Sequence, residues 1–68
     1  MKNYFGQNLK NLRNSNNIGQ VQLAKELSVS KGIISMWENG LREPSMSSLI
    51  SLAKYFKVSI DYLVGLED

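Results

Sequence analysis

The chain has 68 residues, room for one domain, and at that size folding buries only about 60% of the surface the unfolded chain exposes. It has no Cys and no His, which excludes disulfides and a structural zinc site as reinforcement and leaves regular helix packing or a partner subunit. Hydrophobic residues at 43% are too many for disorder, and the net charge of +2 hides an asymmetry: residues 1–60 hold all eight Lys and Arg, whereas Asp61, Glu67 and Asp68 make the end acidic.

Apolar spacing predicts five helices. Phe5, Leu9 and Leu12 step by four and three along the first, which Asn16-Asn17 ends, because Asn tolerates the left-handed backbone of a helix C-terminus. Leu23, Ala24 and Leu27 mark a second helix from Gln20. Ser30 is a suitable N-cap for a third, with Ile34 and Trp37 inward and Asn39-Gly40 as the stop. Ser45 caps a fourth after Pro44, the only proline, with Leu49, Leu52, Ala53 and Phe56 on its face, flanked by Met46 and Ile50. Ser59 caps a short fifth, with Ile60, Leu63 and Val64 inside and Gly65 at its end. No Asn-Gly hairpin joins two β-branched runs, so a sheet is not expected. Connections of about three to six residues fit one compact all-α domain over residues 1–68.

No apolar run exceeds three residues, which rules out a membrane-spanning helix. The opening MKNYFGQNLK carries no apolar secretory core. A soluble cytoplasmic protein is the expectation. Catalysis is not expected: His and Cys are missing, no Ser has an evident base beside it, and no cofactor or metal motif occurs. The serines read as helix caps.

The segment Gln20–Gly40, QVQLAKELSVSKGIISMWENG, is the informative one. Two short helices are joined by Leu27-Ser28-Val29-Ser30, too tight for an antiparallel hairpin and suited to a steep crossing. The small Ala24 lets the two backbones approach, and Leu27, Val29, Ile34 and Trp37 would hold the angle. This is the pattern of a helix-turn-helix at residues 20–39, whose second helix enters the DNA major groove. A basic body suits such a polyanion.

The residues Leu12-Arg13, Gln20, Leu23-Ala24, Leu27, Val29-Ser30, Ile34-Ser35, Trp37-Glu38, Gly40, Arg42-Glu43-Pro44-Ser45, Leu49, Leu52-Ala53 and Val58-Ser59, in this order and spacing, resemble the Cro/CI-type helix-turn-helix family of phage and bacterial repressors, the XRE family. The resemblance spans essentially the whole chain. It implies a five-helix lambda-repressor-like DNA-binding domain acting as a transcriptional regulator, most simply a repressor, in a bacterial or phage context. It places Gln20 on a DNA phosphate at a helix N-terminus, where free N–H groups favour an anion. It places Ser30, Lys31, Gly32, Ser35 and Met36 on the groove-facing side, and Asn39 and Arg42 on backbone phosphates. Lys31 is suited to guanine O6 or N7, or to a phosphate, and Met36 to a thymine methyl. Gly32 reads either as room for close approach to DNA or as a position of no consequence; Ile33 fits either the core edge or the groove. With no Arg, Gln or Asn before Asn39, the helix is poor in bidentate readers, so methyl contacts, Lys31 and DNA shape would carry specificity.

The resemblance also implies a buried Arg13–Glu38 ion pair, and a symmetric homodimer on a palindromic operator. Leu41, Val58, Tyr62 and Leu66 are the candidates for the dimer surface, although Tyr62 suits a half-buried core position equally. Gly19 stands where the family commonly has Ser or Thr, and Ser28 where it commonly has Gly in the turn. A left-handed backbone at Ser28 would carry strain of about 1 kcal/mol. A second class of function, an antitoxin-like or anti-regulator module that binds another protein, would go with an acidic or apolar third helix rather than this one.

Overall fold

Eight apolar side chains meet in a single core: Phe5, Leu9, Leu23, Ala24, Ile34, Trp37, Leu52 and Leu63, each less than 5% exposed. They come from five helices in a computed structural model that describes residues 4–66. These are α1 (Tyr4–Ser15), α2 (Gln20–Leu27), α3 (Lys31–Glu38), α4 (Met46–Phe56) and α5 (Ile60–Val64). The fold is all-α, and the expected helices are all present. Glu67 and Asp68, two of the three residues behind the expected acidic end, lie outside the described residues.

The helix starts follow from local chemistry. Ser30, Ser45 and Ser59 each accept the N–H three residues ahead, at 3.2, 3.1 and 2.9 Å. That satisfies one of the donors a helix N-terminus leaves without an intrahelical partner. Gly19 precedes α2 with no side-chain cap.

The stops share one device. Asn17, Ser28, Gly40, Lys57 and Gly65 all have positive φ, between 56° and 86°. The residue after each donates its N–H to the carbonyl five positions back, at 2.8–3.1 Å: Ile18 to Arg13, Val29 to Ala24, Leu41 to Met36, Val58 to Ala53 and Leu66 to Asp61. This satisfies carbonyls that the helix end would otherwise leave open.

α1 packs on α3 and α5, α2 on α3, and α4 on α5 and α2. The Phe5 and Trp37 rings meet edge-on, 6.0 Å apart at 73°, and fix the back of α3 to α1. Asn8 reaches across from α1 and donates to the carbonyls of Tyr62 and Leu63 at 2.8 and 3.4 Å. At the far end of the same contact, a Cβ placed on Gly65 would lie 2.6 Å from the Tyr4 Cβ. The start of α1 therefore sits directly on the end of α5.

The face expected for α4 is present. Leu52 is buried, and Leu49, Ala53 and Phe56 pack against the core. Met46 and Ile50, expected to flank them, stand out at 65% and 41% exposure.

Candidate nucleic-acid interface

The turn between α2 and α3 sets this surface. Ser28, at φ 58° and ψ 39°, stops α2 in the left-handed conformation, with the side chain that the sequence supplies instead of Gly. Val29 then packs against the core and Ser30 caps α3. Ile34 and Trp37 pin the inner side of α3 and Ile33 and Glu38 also turn inward, which leaves Lys31, Gly32, Ser35 and Met36 on its other side. With its side chains an α-helix is about 10–12 Å across, comparable with the width of the DNA major groove, about 12 Å.

Along that outer side Ser30, Lys31 and Gly32 are exposed, while Ser35 and Met36 are half-buried. Met36 is not among the residues packed on the core. Ile33 packs against the core and lines a cleft of about 480 Å³ with Val29, Trp37 and Pro44, which assigns it to the core edge. Arg42, Glu43, Ser45 and Ser48 complete that cleft. A Cβ on Gly32 would meet only Ser30 Oγ, at 3.7 Å, so no internal packing calls for glycine there.

Asn39 and Arg42 follow α3 and are exposed. The Asn39 amide folds back on its own helix, donating to the Ser35 carbonyl at 2.9 Å. Gln20 opens α2 and is half-buried.

Beneath these residues lies the principal polar cluster of the interior. Arg13 Nε donates to Glu38 Oε2 at 2.7 Å, and Arg13 Nη2 to Oε1 at 3.1 Å. The two side chains are only 12% and 4% exposed. Arg13 Nη1 also donates to the Ile18 carbonyl at 3.1 Å, tying the stop of α1 to the pair. The hydrogen bond to Glu38 raises the guanidinium pKa above its ordinary value, while burial opposes it. Gln20 Nε2 adds a further donor to Glu38 Oε1, at 3.1 Å. That contact was not legible from spacing, because the residues sit on different helices whose crossing angle only the fold sets.

The residues considered for a dimer surface separate. Val58 packs against the core as part of the α4 stop. Tyr62 is half-buried, with its backbone engaged by Ser59 and Asn8. Leu41 and Leu66 are open, at 75% and 77% exposure. Among the described residues no helix is long and apolar enough to cross a membrane, and no group of His, Cys, Asp or Glu could hold a metal.

Residues 9–63 match the family model described as helix-turn-helix. Over 64 residues the chain is 44% identical to the HTH-type transcriptional activator BcrR of Enterococcus faecalis, a match covering 94% of this chain and 31% of that protein. A transcriptional regulator from Listeria innocua superposes with a TM-score of 0.87 at 34% identity, over 94% of this chain and 60% of that one. The P22 c2 repressor protein, crystallised with a synthetic operator, gives a TM-score of 0.82 at 36% identity, over 87% and 89% of the two chains. The chain thus spans about a third of the length of BcrR and most of the P22 c2 chain.

Proposed function

The chain belongs to the helix-turn-helix family of XRE type, and from that premise we propose that it binds double-stranded DNA in a sequence-specific way, as a homodimer on a palindromic operator, to regulate transcription. The observation that carries this reading is the outward side of α3. It offers Lys31, Gly32 and Met36 on a helix fixed from behind by Trp37 and Ile34. Ser30 and Ser35 complete the groove side, and Gln20, Asn39 and Arg42 flank it as phosphate contacts. Two such modules, one helical turn apart on DNA, multiply the few contacts that one can make.

Repression by occluding a promoter is the simplest outcome for a small domain of this kind and agrees with the likeness to the P22 c2 repressor. A second reading, activation, is favoured by the 44% identity to a protein described as an activator. The two differ in where the site lies relative to a promoter. The expected setting is the cytoplasm of a bacterial or phage-infected cell, on the nucleoid when bound.

Selection of bound duplexes from random DNA, at two salt concentrations, tests the proposal. A palindromic motif should emerge. Affinity should fall with salt at a log–log slope of about −0.9 per phosphate neutralised. No enriched motif and no salt slope would overturn DNA binding and favour the protein-interaction alternative.

A further inference from the structure

Glu38 accepts side-chain hydrogen bonds from Arg13 Nε and Nη2 and from Gln20 Nε2. A carboxylate oxygen only accepts, so the group that Gln20 directs at it is its NH₂. The amide carbonyl and the second N–H of Gln20 remain. Gln20 is the first residue of α2, Glu38 the last of α3, and Arg13 lies in the last turn of α1. One carboxylate therefore joins three helix ends at the base of the helix-turn-helix.

We propose that Glu38 is a positioning residue for DNA binding: it holds the Gln20 amide in place before DNA arrives, so that the remaining N–H meets a backbone phosphate. This rests on the DNA-binding reading above. A free glutamine has three side-chain torsions to order on binding, and an anchored one has already lost that freedom. Arg13 has a second part in this arrangement. It matches the charge of Glu38, so a phosphate approaching Gln20 does not meet an unbalanced carboxylate.

The test uses the duplex selected by the wild-type chain. Its affinity is measured for four proteins: wild type, Gln20→Ala, Arg13→Met with Glu38→Leu, and all three changes together. The pair is replaced by apolar residues so that no buried charge is left alone. Gln20→Ala and the paired replacement should each lower affinity on the order of tenfold, the size of one hydrogen bond to a charged group. The triple variant should lose no more than either, because both act through one contact. The salt slope should stay as in wild type, since Gln20 is neutral and the pair leaves as a neutral unit. A folded paired variant that binds like wild type, or losses that multiply in the triple, would overturn the proposal.

Should the paired variant fail to fold, the amide protons of the unaltered chain decide. One Gln20 side-chain proton should exchange more slowly than those of the exposed Gln22. Equal exchange at the two residues would show no anchor and sink the idea. A wild-type chain that selects no duplex defeats the DNA reading instead, and the amide measurement on free protein is independent of that result.

Discussion

Among the described residues, three carry side chains into backbone space usually left to glycine: Asn17, Ser28 and Lys57, with φ of 56°, 58° and 59°. For Ser and Lys this region costs about 1 kcal/mol. Ser28→Gly and Lys57→Gly should each raise stability by up to about 1 kcal/mol, read as a higher urea midpoint with unchanged slope, because the relief of strain exceeds the added freedom of the unfolded chain. Asn17→Gly should gain less, since Asn tolerates the conformation. The strain at Ser28 was legible from the family pattern of Gly at that turn. Lys57 gave no such signal, because nothing in its side chain marks it as a helix stop. At Glu38 the expected cost is large: Glu38→Ala leaves the Arg13 guanidinium buried without its partner, for about 3–5 kcal/mol in thermal or denaturant unfolding. Gly32 has the opposite sign. Its Cβ position is open apart from Ser30 Oγ at 3.7 Å, so Gly32→Ala should stabilise the domain by up to about 1 kcal/mol. If α3 approaches DNA closely at Gly32, the same change lowers affinity, and unchanged or tighter binding would assign that glycine no part in recognition.

At the scale of the helices, starts and stops explain why the element boundaries could be read from sequence. Each depends on residues within about five positions of one another, as with Ser30 and Ile33 or Gly65 and Leu66. What covers a helix face does not. Met46 and Ile50 fit the apolar stripe of α4 and yet lie open, because periodicity defines a face and only the fold decides how wide a strip of it meets a neighbour. The five residues that follow the left-handed stops are all apolar: Ile18, Val29, Leu41, Val58 and Leu66. Such a residue normally packs back on its own helix end. Ile18, Val29 and Val58 do reach the core, whereas Leu41 and Leu66 remain exposed. Gly65 tests the opposite case to Ser28 and Lys57. Gly65→Ala meets both a φ of +86° and the Tyr4 Cβ at 2.6 Å. It should destabilise the domain by more than about 1 kcal/mol, seen as a lower melting temperature that Tyr4→Gly, which removes the Cβ it meets, partly restores in the same chain.

For the molecule as a whole, a small core and two open leucines raise the question of self-association. Leu41→Ser and Leu66→Ser remove exposed apolar area, so each should change monomer stability by no more than about 0.5 kcal/mol. If these leucines lie in a dimer contact, sedimentation will show weaker self-association, and DNA affinity will fall with it. If sedimentation is unchanged, they are surface residues only. The outer side of α3 was legible in outline because Ile34 and Trp37 declare the inner side and thereby the outer one. The Arg13–Glu38 pair behind it was expected from the family pattern and is present, whereas the Gln20–Glu38 contact and the Asn8 tether were not legible, because they depend on distances between helices far apart in sequence.

The seat of Tyr4 on Gly65 makes the stretch between those two residues nearly a closed ring in space. A short flexible bridge across that seam should let the chain be cut elsewhere, for instance in the exposed stretch 41–43 between α3 and α4, and still find the same core. The order in which the helices are synthesised would then be interchangeable. Chain entering at Tyr4 and chain leaving past Gly65 therefore meet at one corner of the domain, like two wires at a single socket.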